Sequence, residues 1–264
     1  VKAVGGLKKM KVELAEQVAY HLELSERIWL NDYVGREIEL HWSGIILCTR
    51  CGKKTQKSFG EGFCYPCFQS APEAAPCIIK PELCRAHLGE GRDPEWEQLH
   101  HNTDHIVYLA ATNAVKVGIT RSTQVPTRWI DQGASSAIKL AVTPNRYEAG
   151  RIEVALKDFF TDKTNWQRML KNDIDETIDL VEEKWQVHDQ LPSDIQQFFA
   201  EDDELVTINY PVLTYPQQLK SISFDTLPTV RGKLMGIKGQ YLMLEGGIVF
   251  NVRKHTGYQV EWEM

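Results

Sequence analysis

Long hydrophobic runs are missing from this sequence of 264 residues, and nothing in it approaches the roughly 20 apolar residues that cross a bilayer. Lysines stand at positions 2, 8, 9 and 11, with no apolar segment behind them of the kind a secretory signal carries. A soluble, cytoplasmic protein with no membrane partner is expected. Net basicity is also absent, since 30 Lys plus Arg face 36 Asp plus Glu for a formal charge of −6. That excludes a uniformly basic nucleic-acid coat but leaves room for a local basic face, because steering depends on where charges sit. No internal repeat is present, and glycine (18) and proline (11) stay at ordinary globular levels, which excludes collagen-like and low-complexity chains.

Cysteine is absent outside one window. All six cysteines lie between Cys48 and Cys84, and the first four read Cys48-x-x-Cys51, twelve residues, Cys64-x-x-Cys67. Two residues between thiolates let a tight turn aim both sulfurs at one tetrahedral ion, and Gly52, Gly60 and Gly62 permit the turns. The spacing predicts a zinc ribbon with a structural zinc, four thiolates leaving no position for water or substrate. Two disulfides are the alternative, disfavoured by the missing secretory segment. Cys77, Cys84 and His87 form a second candidate zinc group, with His101 or His100 as the fourth ligand and His105 further on. The competing reading is two buried thiols and solvated histidines.

Around the first group stand Arg50, Lys53, Lys54 and Lys57, with Phe59, Phe63 and Tyr65 following. Lysines on phosphates and rings on bases would make this hairpin a nucleic-acid contact. A solvated face on a stapled hairpin has the same composition.

Charge is unevenly distributed: +2 over residues 1–70, −1 over 71–145, −5 over 146–200 and −2 over 201–264. Within the acidic part, Ile174, Ile178 and Val181 follow helical spacing among carboxylates, which predicts a solvated helix over 173–183. Residues 18–47 alternate in strand fashion, and 233–264 read as a glycine-punctuated strand meander carrying Lys238, Tyr241, Arg253, Lys254, His255 and Tyr258. Neither end has enough residues for a comfortable core alone, so the two are expected to pair into one small sheet or barrel. Residues 69–76 read as a linker. The expected organisation is a β segment at 1–47, a zinc ribbon and Cys/His-rich region at 48–104, an α/β module at 105–204 and a β segment at 205–264.

Between His105 and Arg121 two apolar strands flank a Thr112-Asn113 turn, a hairpin signature. A helix carrying Arg128 and Trp129 is expected from about Thr123 to Gly133, then a strand at 138–142. A second helix over 147–160 would turn Ile152, Leu156, Phe159 and Phe160 inward, with Glu153 beside that stripe.

Ile106-Val107-Tyr108, Lys116-Val117-Gly118, Arg128 and Glu153, in that order, resemble the GIY-YIG nuclease superfamily, in particular branches with a Lys-Ile-Gly form of the second motif. The likeness covers roughly residues 105–166. The remainder is similar to a bacterial family of unknown function that joins a zinc ribbon to such a module. The resemblance implies an α+β fold with a small central antiparallel sheet and helices, and phosphodiester hydrolysis with one divalent cation, commonly magnesium. By the same resemblance Glu153 would hold the cation, Arg128 would stabilise charge on the phosphate, and Tyr108 would position or deprotonate the attacking water. Asn165 would be the late polar residue, and Arg121 a nucleic-acid contact. Lys116 stands where family nucleases carry a tyrosine, and Gln132 where some carry a histidine. A non-catalytic RNA- or DNA-binding adaptor, or a zinc-ribbon protein-interaction scaffold, is built from the same parts. Taken singly, Tyr108 is also readable as a core tyrosine, and Glu153 as an ordinary helix carboxylate.

Overall fold

The strand Glu37–Leu47 organises the first of two units. A computed structural model describes residues 2–161 and 164–263, and these divide into Val1–Gln69 joined by Asn209–Met264, and Ser70–Ile208. Along Glu37–Leu47 the alternation is explicit, with Ile38 and Leu40 buried and Glu37 and His41 exposed. Thr229–Lys238 pairs antiparallel on one side, Val230 opposite Leu40, and Tyr258–Glu263 on the other, Trp262 opposite Leu40. Val230, Leu40 and Trp262 thus stand abreast on three strands, each fully buried. Burial of side chains of this size contributes roughly 1.5–3 kcal/mol apiece.

The two ends of the chain therefore share one sheet. It runs from Ala3–Gly6 through these strands, then Tyr241–Leu244 and Ile248–Asn251, to a parallel partner, Lys220–Ile222. The path does not return on itself, so the barrel alternative gives way to an open sheet. Its edges are short strands of four and three residues, and Lys2 bridges Glu261 and Glu263 at 2.8 Å each beside one of them, which discourages edge pairing. A separate three-stranded sheet holds Lys11–Glu13, Ala19–Glu23 and Arg27–Trp29.

Of the basic and aromatic residues of the C-terminal meander, Lys238, His255 and Tyr258 are buried, while Lys254 is exposed. Lys238 is 2% exposed, with its ammonium 5.2 and 5.3 Å from the Tyr210 and Tyr215 rings. His255 stacks on Phe250, Tyr258 donates to Asp225, and Arg253 is paired with Glu61.

In the second unit Leu205–Thr207, Ser136–Thr143, His105–Ala111 and Val115–Arg121 form an antiparallel sheet in that order. All seven residues of His105–Ala111 are buried, because the strand lies between two neighbours. Helices Arg146–Ala155 and Leu180–His188 cover the sheet through Ala149, Ile152, Leu156, Leu180 and Val187.

Several expected elements differ. The stretch 173–183 is not one helix: Asp175 accepts from the Thr177 backbone and hydroxyl, and Asp179 caps the helix that starts at Leu180. Short aspartate side chains competed successfully for the backbone N–H groups. The linker expected at 69–76 coincides with the boundary between the units at Gln69/Ser70, though Ala71 and Ala75 beside its one-turn segments are buried. Pro126, with no N–H to give, breaks the stretch after Thr123 into a turn and the short helix Thr127–Asp131. The Glu153 helix ends at Ala155, and Phe159 is 43% exposed rather than inward.

Burial holds Lys238 at about 8 against its ordinary 10.5. Between those values the unfolded chain binds the proton that the folded chain releases, so this residue's contribution to stability rises as pH climbs from about 8 toward 10.5. Denaturant melts across that range are expected to show the rise in wild type and a flatter profile in Lys238→Met.

Candidate functional site

The first cluster sits at the end of Glu37–Leu47, where Lys54–Thr55 folds back against Ile46 and Leu47. Gly52, at φ +71°, donates to the Cys48 carbonyl at 2.9 Å and closes the first knuckle. Cys64 begins the turn that continues into Tyr65–Ser70, its carbonyl accepting from Phe68. Gly62 permits the return, since a Cβ there would meet the Thr49 methyl at 2.5 Å and φ is +95°. The sulfurs of Cys48, Cys51, Cys64 and Cys67 lie within 4.8 Å of one another, with 3.8 Å between Cys51 and Cys64. A tetrahedral zinc with bonds near 2.3 Å spaces its sulfurs about 3.8 Å apart, so the group could bind zinc. Burial opposes ionisation of Cys48, but backbone N–H groups of Cys51, Cys64 and Arg50 outweigh it and bring the thiol down to about 6. Thiolate ready for a metal is the result.

Arg50, Lys53, Lys54 and Lys57 are all exposed around this group. The aromatic residues are less available than expected. Phe63 is buried, while Phe59 packs against Tyr65 and Phe68 at 5.4 and 5.8 Å.

The second cluster belongs to the central unit. Cys77 and Cys84 come from one-turn segments, and His101 ends the helix Pro94–His101, which Asp93 caps. Their ligand atoms lie within 4.8 Å of one another, with His101 Nδ1 3.9 Å from Cys77 Sγ and 3.7 Å from Cys84 Sγ. All three residues are buried. The Cys77 thiol donates to Cys84, bringing Cys84 down to about 4 and pushing Cys77 up. Two sulfurs and an imidazole suit zinc. His87, expected among the ligands, has its ring stacked on Tyr147 at 4.7 Å, and His100 stacks on Trp96 at 4.0 Å.

Arg146, which sequence reasoning missed, fastens this cluster to the helix Arg146–Ala155. Its Nε and Nη2 donate to the carbonyls of Cys77 and Ile78 at 2.9 Å each. Gly150 lets the same helix approach so closely that a Cβ would meet Glu82 N at 2.3 Å. A signal existed: a cation in the first turn of a helix opposes the helix dipole and so calls for another partner.

The third cluster centres on Tyr108, which is fully buried and paired in register with Gly118. A Cβ at 118 would lie 2.6 Å from the phenol oxygen, so the ring position requires glycine. Gln132 donates to that oxygen. Burial raises the phenol's pKa, the Arg128 charge and hydrogen bonds from Gln132 and Arg128 lower it, and Glu153 raises it. Tyr108, Arg128, Gln132 and Glu153 are therefore one electrostatic neighbourhood, and Arg146 feels Glu153, Arg128, Cys77 and Cys84 together.

Lys116 donates to Thr164 at 3.2 Å. Asn165 caps Trp166–Leu170, its side-chain oxygen accepting from Gln167 and Arg168. Arg121 ends its strand opposite His105, with burial lowering its pKa.

Comparison with known proteins gives one result of substance: a sequence profile for the family described as Protein of unknown function (DUF2797) matches residues 35–260. The chain belongs to this family. No curated protein and no solved structure matches it. The DUF2797 match spans both cysteine groups and the Tyr108 cluster, so all three lie within the family's own extent. Among the described residues no helix is long and apolar enough to cross a membrane.

Zinc analysis of the purified protein tests the first cluster. Cys64→Ser is expected to carry one equivalent less than wild type, and an unchanged zinc content would remove Cys64 from the ligand set.

Proposed function

We propose that the central unit is a GIY-YIG-type phosphodiesterase acting on nucleic acid, with the Cys48–Cys67 hairpin as a zinc-stabilised contact for the same substrate. The observation that carries this reading is the shared electrostatic neighbourhood of Tyr108, Arg128, Gln132 and Glu153, drawn from one strand and two helices. Three separately weak motif residues, Tyr108, Arg128 and Glu153, gain weight as neighbours of one another.

In this reading Arg128 meets the scissile phosphate, where a guanidinium fork matches two phosphate oxygens. The Tyr108 oxygen accepts from both Arg128 and Gln132, so Tyr108 positions the guanidinium rather than deprotonates, consistent with a buried phenol whose pKa is raised. Glu153 suits a hard cation, because magnesium commonly takes one or two carboxylates and completes its shell with water and substrate phosphate. Such a cation, when bound, supplies positive charge to a phosphate oxygen. Lys116 adds a second cation near the strand end. In the first unit, the exposed basic side chains at 50, 53, 54 and 57 supply phosphate contacts of their own.

A binding module without hydrolysis is the second reading. Its support is specific: Tyr108 has no exposed surface, and Lys116 replaces the second tyrosine.

The deciding measurement is magnesium-dependent cleavage of a panel of DNA and RNA substrates. Wild type is expected to cleave at least one, with Glu153→Ala and Arg128→Ala each slower by about 10²–10³, the usual loss when a group stabilising transition-state charge is removed. Binding in all three proteins with cleavage in none would sink the hydrolytic reading and leave the adaptor.

A further inference from the structure

Cys77, Cys84 and His101 supply three donors, whereas a structural zinc takes four. His87 follows Cys84 by three residues, the spacing at which a knuckle turn aims two ligands at one ion. The Ala86 backbone N–H already donates to the Cys84 sulfur, as such a turn requires. Among the described residues, His87 Nδ1 is buried with no hydrogen-bond partner, an unfavourable state for a ring nitrogen taken from water. The ring rests on the Tyr147 face, with 26° between the planes.

His105 is the rival donor, because its Nε2 is also buried without a partner while Nδ1 faces the Thr103 carbonyl at 2.6 Å. It lies, however, on a strand fixed on both sides, opposite Arg121 and Thr143. His87 lies on the single turn Ala86–Leu88, followed by Gly89 at φ +75°, and not on a strand paired on both sides.

We propose that His87 completes a closed Cys77/Cys84/His87/His101 site for zinc, leaving the face of Tyr147 to bind through Nδ1. The site is structural, and through the Arg146 bonds to Cys77 and Ile78 it anchors the helix that carries Glu153. Its existence does not depend on the hydrolytic reading.

Cobalt substitution tests this in the full-length chain. Wild type is expected to bind two cobalt ions per chain with tetrahedral visible absorption that azide does not alter, since both sites are closed. His87→Ala is expected either to lose one cobalt or to keep it with a spectrum that azide shifts, while His105→Ala behaves as wild type. His87→Cys is expected to strengthen the sulfur-to-cobalt charge-transfer absorption, a gain that general destabilisation cannot imitate. One cobalt per chain in wild type overturns the proposal. So does a wild-type spectrum that azide perturbs, a His87→Ala spectrum identical to wild type, or an azide response that appears in His105→Ala instead.

Discussion

The central unit depends on how Arg146 is held. A guanidinium taken from water must have its donors met, or its charge costs several kcal/mol. Here the acceptors are the carbonyls of Cys77 and Ile78, which belong to a segment with little regular structure of its own. The segment is thereby tied to a helix whose other face supplies Ala149, Ile152 and Leu156 to the core over the sheet. Gly150 is part of the same constraint, because the bonds from Arg146 bring helix and loop to a separation that admits no Cβ. A single cation at the head of the helix therefore ties together the cysteine pair, the hydrophobic core and the position of Glu153.

The cysteine groups obey a related rule. Thiolates crowded together repel one another, and the hydrogen bond from Cys77 to Cys84 pushes the first thiol up and draws the second down. In the first group Cys48 is drawn down while the neighbouring sulfurs push Cys67 up to about 12. A dication removes that conflict in both places by meeting every sulfur as thiolate. The hairpin between Cys51 and Cys64 needs such a centre, since Phe63 is its one large side chain that is well buried.

What the sequence disclosed, and what it hid, follows the range of the forces involved. Alternation around Ile38 and Leu40, the hairpin at Thr112-Asn113 and the cysteine spacing are local signals, and each was readable. The helix expected over 173–183 failed because periodicity counts apolar positions and ignores the capping power of Asp175 and Asp179. The burial of Lys238 was not readable, because nothing local announces that the Tyr210 and Tyr215 rings lie beside its ammonium. Arg146 bonds to residues 68 and 69 positions earlier, a distance no spacing rule covers. Gly118 is the instructive intermediate: its motif was legible, but the reason for glycine, the Tyr108 ring across the strand pair, is tertiary.

The acidic balance bears on nucleic-acid contact less than its size suggests. Over 146–200 much of the excess carboxylate charge is used where it stands. Asp173 pairs with Arg168, Glu148 and Asp194 with Arg151, while Asp175 and Asp179 accept backbone N–H groups. Just beyond, Asp202 and Asp203 meet Lys139 and Lys184. Exposed pairs of this kind add little stability, but each nearly cancels its own field at the distance of an approaching phosphate. The exposed lysines at 53, 54 and 57 stand in a stretch whose nearest following carboxylate, Glu61, is taken by Arg253. A formal −6 is thus compatible with a local surface that draws phosphate, because screening confines each charge to about 8–10 Å at physiological salt.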